Sequence, residues 1–162
     1  MPKPVVSIVM GSRSDLPILE ETRKVLQEFG VPHETRVLSA HRTPIEAAAY
    51  FAAVEGRGVK VVICAAGGAA HLAGAAAAHT TLPVIAIPLD GSPMQGWDAL
   101  LSSVMMPPGI PVASVSVGAW GAKNAAYLAV AILSLANAGL RKKLRAFRTA
   151  QREKLLKDSI VR

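Results

Sequence analysis

From Val5 to Val117 the chain alternates short strand-like segments, the first of them the apolar run Val5–Met10, with glycine-rich or polar turns and segments of helical spacing. An unbroken apolar run reads as a strand buried on both faces. Strands that alternate with helices build a parallel sheet, because each crossover must return over one face of it in the right-handed sense. The strands are expected at Val5–Met10, His33–Leu38, Val59–Ala65, Val84–Ile87 and Val112–Val117. The first helix places Leu19, Thr22, Val25 or Leu26, and Phe29 on one face, with Gly30 at its stop. Thr43-Pro44-Ile45-Glu46 reads as a capping box opening a helix from Pro44 to about Glu55. Further helices are expected at Ala69–His79 and Gln95–Val104, then a Pro/Gly turn over Met106–Pro111 and a long helix over Ala119–Ala138, with Gly139 separating it from the last one.

Residues 1–162 show no internal repeat and no interdomain linker, so the reading is a single α/β domain with an extra basic helix at about 140–158. The expected fold is a three-layer, doubly wound parallel sheet of flavodoxin-like order 2-1-3-4-5. Ligands in such sheets bind beyond the carboxyl ends of the strands, where the order switches between strands 1 and 3. The loops after strands 1, 2 and 3 are therefore where chemistry belongs.

Charge and composition close off several classes. The net charge of +7 suggests a nucleic-acid partner, but residues 140–162 hold nine Lys or Arg against two Asp or Glu, which leaves nine against nine elsewhere. Only Phe147 interleaves with those charges, so stacking on bases has little to work with and no nucleic-acid partner is expected. The stretch Val59–Ala78 carries a single charge, Lys60, yet Gly67-Gly68 interrupts it, and no membrane association is expected. One cysteine precludes an internal disulfide, and the apolar run after Met1-Pro2-Lys3-Pro4 is too short for a signal peptide, which makes the cytoplasm the expected compartment.

The first loop is Gly11-Ser12-Arg13-Ser14-Asp15, at the start of a helix. Its hydroxyls and unpaired N–H groups suit a phosphate or sugar, and Asp15 suits ribose hydroxyls because it would repel phosphate. Equally, Ser14 or Asp15 does no more than cap the helix. The second loop is Ser39-Ala40-His41-Arg42-Thr43-Pro44. Arg42 offers a fork for phosphate, Ser39 another donor, and His41 a side chain of the type that titrates near neutrality. The third is Ala65-Ala66-Gly67-Gly68-Ala69-Ala70-His71-Leu72, whose paired glycines let backbone N–H groups approach a carboxylate or serve only a tight turn. His71 and His79 lie roughly 12 Å apart on a helix, beyond one shared ion, and no metal site is expected. Cys64, inside a strand, reads as an apolar filler.

These three motifs, with Met106-Pro107-Pro108-Gly109-Ile110-Pro111-Val112 and Asn124-Ala125-Ala126, resemble the class I PurE family over essentially the whole chain. Class II relatives carry Lys where Arg42 stands and lack the Gly-Gly-Ala-Ala-His run. Two positions depart from the family pattern: Ala73, commonly Pro, and Met105, frequently Gln. The resemblance implies conversion of N5-carboxyaminoimidazole ribonucleotide into 4-carboxyaminoimidazole ribonucleotide in purine biosynthesis, with no cofactor. It assigns Ser12, Asp15 and Arg42, helped by Ser14 and Ser39, to the ribose phosphate and His41 to the proton shuttle. Gly67, Gly68, Ala69 and His71 would hold the migrating carboxyl group, and the family's homo-octamer would be the assembly. The alternatives are direct carboxylation of aminoimidazole ribonucleotide by CO2 and a noncatalytic flavodoxin-like nucleotide-binding module.

Overall fold

The structure, a computed structural model, describes residues 3–159. Its five-stranded parallel sheet runs in the order β2-β1-β3-β4-β5, the order expected. The strands are β1 (Val6–Met10), β2 (His33–Val37), β3 (Val61–Gly67), β4 (Val84–Leu89) and β5 (Ala113–Ser114). The helices are α1 (Leu16–Phe29), α2 (Pro44–Ala53), α3 (Leu72–His79), α4 (Trp97–Val104), α5 (Gly118–Ser134) and α6 (Ala138–Lys157).

Alternate residues of the central strands feed two cores, as the two-residue period of a strand requires. Val6, Ile8, Ile63 and Ile85 pack with Leu19, Leu26 and Phe29 of α1 and with Ala122, Ala125, Ala126 and Ala129 of α5. Val9, Val62, Cys64 and Ala86 pack on the other face with Phe51 of α2 and with Leu72 and Ala76 of α3. The small alanine face of α5 lets α1 come close enough for the buried Thr22 hydroxyl to donate to the Ala122 carbonyl at 2.8 Å. In the first turn of α5, a Cβ on Gly121 would stand 1.7 Å from the Ser116 carbonyl oxygen, so only glycine fits that contact.

Several boundaries differ from the sequence reading, each for a local reason. The fifth strand is only Ala113–Ser114, because its pairing with β4 is confined to Ile85 and Ala86. β4 continues through Pro88 to Leu89, and since β5 has ended by then, the missing proline N–H breaks no bond on that side. Gly139 does not separate the last two helices. Asn137 does so, its side chain accepting from the Leu140 N–H at 3.0 Å, while Gly139 sits inside the first turn of α6. The Thr43 capping box is also absent: Thr43 precedes α2, but its hydroxyl turns back to donate to the Ser39 carbonyl and accept from the Ser39 N–H, both at 3.0 Å. The stretch Val59–Ala78 is β3, a loop and most of α3, and among the described residues no helix is long and apolar enough to cross a membrane.

The basic helix is less detached than its charge implies. Leu140, Leu144 and Phe147 join the core on the α1 and α5 face, Phe147 stacking on Tyr127 with centroids 4.7 Å apart. Lys143 donates to the Phe29 carbonyl at 3.0 Å and Arg141 to the Ser134 carbonyl at 3.0 Å. Beyond residue 147 the helix stands in solvent, Leu155 and Leu156 included.

Candidate active site

The carboxyl ends of β1, β2, β3 and β4 open on a cavity of about 630 Å3. Ser12, Ser14, Asp15, Ser39, His41, Arg42, Gly67, Gly68, Ala69 and His71, every site residue named from the sequence, line it together.

In the first loop the hydroxyl of Ser12 accepts from the Ser14 N–H at 3.3 Å, and Asp15 Oδ2 accepts from the Ser12 N–H at 3.1 Å. This reciprocal pair is a capping box around the short 3-10 turn Arg13–Asp15 with Ser12 as its cap, whereas Asp15, the residue before α1, makes no side-chain cap to that helix, so capping of α1 by Ser14 or Asp15 does not account for the loop. The box fixes one edge of the Asp15 carboxylate and aims the hydroxyls. Ser14 Oγ, which donates to Ser12 Oγ at 2.8 Å, still lines the cavity.

The second loop is tied to the first. Arg42 donates from Nη2 to the Gly11 carbonyl, and both its backbone N–H and its Nε reach Ser39 Oγ, at 3.2 and 3.4 Å. Because Thr43 is spent on bracing Ser39 rather than on capping α2, the loop is held by three side chains, and Arg42 still lines the cavity. Such a rigid, donor-rich fork is suited to an anion with several oxygens.

The third loop brings the feature that matters most. β3 runs on to Gly67, and Gly68 at φ +62° turns the chain in a left-handed conformation that a side chain would strain. The helix then starts at Leu72, not Ala69, which leaves Ala69 and Ala70 as loop and sets His71 just ahead of α3. Ser102 of α4 steadies this loop by accepting from the Ala70 N–H at 3.0 Å while donating to the Asp98 carbonyl at 2.7 Å. His71 is thereby placed with Nδ1 2.8 Å from Nε2 of His41, their rings nearly perpendicular at 83°. One ring donates and the other accepts, so the tautomer of either fixes that of the other.

A fourth segment was not anticipated. Asp90, Gly91 and Ser92, immediately after β4, close the far wall, and Ser92 Oγ donates to Asp98 Oδ1 at 2.9 Å. Their position at the carboxyl end of a strand was the available signal. The departures Ala73 and Met105 lie outside the cavity lining, Ala73 buried in α3 and Met105 exposed at the end of α4. Cys64 is buried and burial raises its thiol pKa well above the usual range, which suits a filler and not a nucleophile. Among the described residues no group of three His, Cys, Asp or Glu converges as a metal site would require.

A family model described as AIR carboxylase matches residues 5–154. The chain belongs to the AIR carboxylase family. Within that family it is 48% identical to the N5-carboxyaminoimidazole ribonucleotide mutase of Pyrococcus horikoshii over 153 residues, covering 94% of this chain and 85% of the relative. It is also 47% identical to a phosphoribosylaminoimidazole carboxylase of Saccharomyces cerevisiae, covering 96% of this chain but 27% of that longer protein. The crystal structure of Treponema denticola PurE superposes with a TM-score of 0.87 at 31% identity, covering 96% of each chain. The AIR carboxylase sheet and its helices on both faces are thus those of solved PurE structures.

Proposed function

We propose that this chain is a mutase that converts N5-carboxyaminoimidazole ribonucleotide into 4-carboxyaminoimidazole ribonucleotide, with His41 as its proton shuttle. The observation that carries the reading is the His41–His71 pair at 2.8 Å, standing in the same cavity as the Arg42, Ser39 and Ser12 donors. A proton-handling pair beside an anion-binding wall is what a phosphorylated substrate undergoing proton transfer needs.

In this mechanism the bond between the exocyclic nitrogen and its carboxyl carbon breaks, CO2 is released within the cavity, and the nitrogen takes a proton from His41. The electron-rich ring then attacks that CO2 through C4, and His41 removes the C4 proton as the ring regains its aromatic form. The proton balance closes on one histidine, and the carboxyl group changes position without an external oxidant or nucleotide. Confinement raises the local concentration of CO2 far above that of solution. His71 holds the His41 ring in position, and positioned acid–base catalysis of this kind contributes about 10²–10⁴-fold. Ser12, Ser14, Ser39 and Arg42 take the phosphate, Asp15 the ribose hydroxyls, and Gly67, Gly68, Ala69 and His71 the migrating carboxyl group.

Assembly as a homo-octamer in the cytoplasm belongs to the same proposal. In support, α4 exposes Trp97, Leu101 and Val104 at helical spacing, with Met105 beside them and Trp120 exposed at the start of α5. The name of the Saccharomyces relative makes direct carboxylation the reading to test against. Unlabelled N5-carboxyaminoimidazole ribonucleotide is supplied with isotopically labelled bicarbonate and early product is analysed. Little label in the product supports transfer within the cavity. Early product carrying the full solvent label would establish direct carboxylation instead.

A further inference from the structure

Ser102 stands outside the cavity lining, yet its hydroxyl is bonded both to its own helix and to the third loop. Its proton is committed inward, to the Asp98 carbonyl one turn earlier at 2.7 Å with the Ala99 carbonyl at 3.2 Å, which leaves a lone pair for the Ala70 N–H, 3.0 Å away. Ala70 is buried, so losing that acceptor would leave its N–H without a partner. The adjoining His71 N–H bonds to the Ala69 carbonyl at 2.8 Å, inside the loop, and the fastening of this stretch to α4 falls to Ala70. Next along the same helix, Ser103 is buried too, but its hydroxyl donates to the Ala99 carbonyl at 2.6 Å and so makes its bond within α4.

We infer that Ser102 is a positioning residue for the histidine pair: through Ala70 it sets where His71 meets His41, and so the geometry from which the proton is moved. The role rests on the mutase reading above only for the identity of the reaction it serves. The contacts are continuous, from the Asp98 carbonyl through the Ser102 hydroxyl to Ala70, and from the adjoining His71 Nδ1 to His41 Nε2 at 2.8 Å. The same turn of α4 holds the wall after β4, since Asp98 Oδ1 accepts from Ser92 Oγ at 2.9 Å. One turn of α4 thus fixes two walls of the cavity, while the first and second loops are anchored to each other through Arg42 and the Gly11 carbonyl. Loss of the Ser102 hydroxyl therefore loosens the proton-handling side and leaves the anion-binding side in place, a split that a general loss of stability would not produce. Misplacing a catalytic group by about 1 Å costs up to about 10²-fold in rate.

Ser102→Ala and Ser103→Ala each remove one hydroxyl from α4, and only the first removes an anchor of the third loop. With N5-carboxyaminoimidazole ribonucleotide as substrate, Ser102→Ala is expected to lower kcat about tenfold, a part of the 10²–10⁴-fold that positioned acid–base catalysis contributes, with KM within about twofold of wild type. Ser103→Ala should keep both constants within about twofold. The pair is also read without turnover, by nitrogen-edited NMR of the histidine rings at a pH where the spectra show both rings neutral. A single tautomer is expected for each of His41 and His71 in the wild-type protein and in Ser103→Ala, and a mixture of tautomers in Ser102→Ala. Unchanged ring spectra or a kcat within about twofold in Ser102→Ala would overturn the inference, as would an equal loss of kcat in Ser103→Ala. A wild-type protein that does not turn over N5-carboxyaminoimidazole ribonucleotide, while Ser102→Ala still mixes the tautomers, would sustain the positioning role and discard the mutase.

Discussion

At the edge of the sheet Ser7, Tyr50, Glu34 and Arg57 form a polar cluster that closes on itself, whereas the cluster at the mouth of the sheet leaves its donors facing a cavity. The buried Ser7 hydroxyl meets Tyr50 Oη at 2.6 Å, Tyr50 donates to Glu34 Oε1 at 2.7 Å, and Arg57 donates to the same carboxylate oxygen. Arg57 also lies 5.0 Å from the Tyr50 ring centroid, and Arg36 stands 3.5 Å from Glu34 Oε2. The Ser7 and Tyr50 hydroxyls and the Glu34 carboxylate all find partners within the chain itself, so the cluster is a fastening between β2, β1 and α2. At the mouth, Arg42, Ser14, His41 and His71 are oriented by neighbours but keep donors or acceptors open to the cavity. Closed networks serve stability and open ones serve ligands.

The sharpest way to break this distinction is at His41. His41→Asn keeps a polar group of similar size but cannot exchange a proton near neutrality, so turnover of N5-carboxyaminoimidazole ribonucleotide should fall about 10³-fold. Because His41 is exposed and outside both cores, the thermal midpoint should move little. Steady-state kinetics and a melting curve on the same preparation check both halves. Turnover within tenfold of wild type would remove His41 from the chemistry.

Arg42→Lys is a smaller perturbation of the same open cluster. A point charge replaces a planar fork, so the bonds to Ser39 and the Gly11 carbonyl cannot be held while an anion is gripped. The KM should rise about tenfold, the loss expected for one charge-assisted bond. An unchanged KM would place the phosphate elsewhere in the cavity.

The closed cluster should answer in stability. Burial pushes the Glu34 carboxyl upward, but hydrogen bonds from Tyr50 and Arg57 and the charges of Arg57 and Arg36 outweigh it, and the net pKa is lowered. A carboxyl whose folded pKa is depressed stabilises the fold above its unfolded pKa and loses that contribution as pH falls through the lower folded value. Glu34→Gln should therefore cost about 1 kcal/mol at neutral pH, a drop of about 2–4 °C for a chain of this size. The gap from wild type should narrow below roughly pH 4, where an unperturbed carboxyl begins to protonate. Melting curves from pH 3 to 7 measure it, and a gap that widens in acid would reverse the assigned sign.

The contrast also explains which features the amino-acid sequence makes legible. The parallel sheet with helices on both faces follows from alternation, because apolar runs such as Val61–Ala65 leave few ways to be buried on both faces. The site is legible because its three loops carry glycine and polar residues where a turn needs fewer. The His41–His71 contact is not legible, since it joins residues thirty apart whose rings meet only once Gly68 turns the third loop. Capping at Thr43 fails for a related reason: a hydroxyl has several partners within reach, and the Ser39 backbone wins over the helix N-terminus. Asp90 and Ser92 lack any motif and depend on where β4 ends. The closed cluster escapes notice because Glu34, Tyr50 and Arg57 look like ordinary surface residues until β2 and α2 are brought together.

Cys64, in the middle of the sheet, belongs to neither cluster, which makes it the mildest probe of the sheet that carries them both. It sits on β3 between Val9 of β1 and Ala86 of β4, buried in the core shared with α2 and α3. Burial raises its pKa and holds it as the thiol, so an alkylating reagent must wait for the sheet to open. Iodoacetamide should therefore leave the native protein unmodified over a period in which the urea-unfolded chain reacts completely. Cys64→Ala removes one heavy atom from a packed position and should cost about 0.5–1 kcal/mol, in the range of small core truncations. Turnover should stay within twofold, because the thiol is absent from the cavity lining and neither cluster bonds to it. Rapid labelling of the native protein would mean that β3 opens easily under native conditions. The rigidity that the mechanism asks of the Gly67–His71 loop would then have to come from elsewhere.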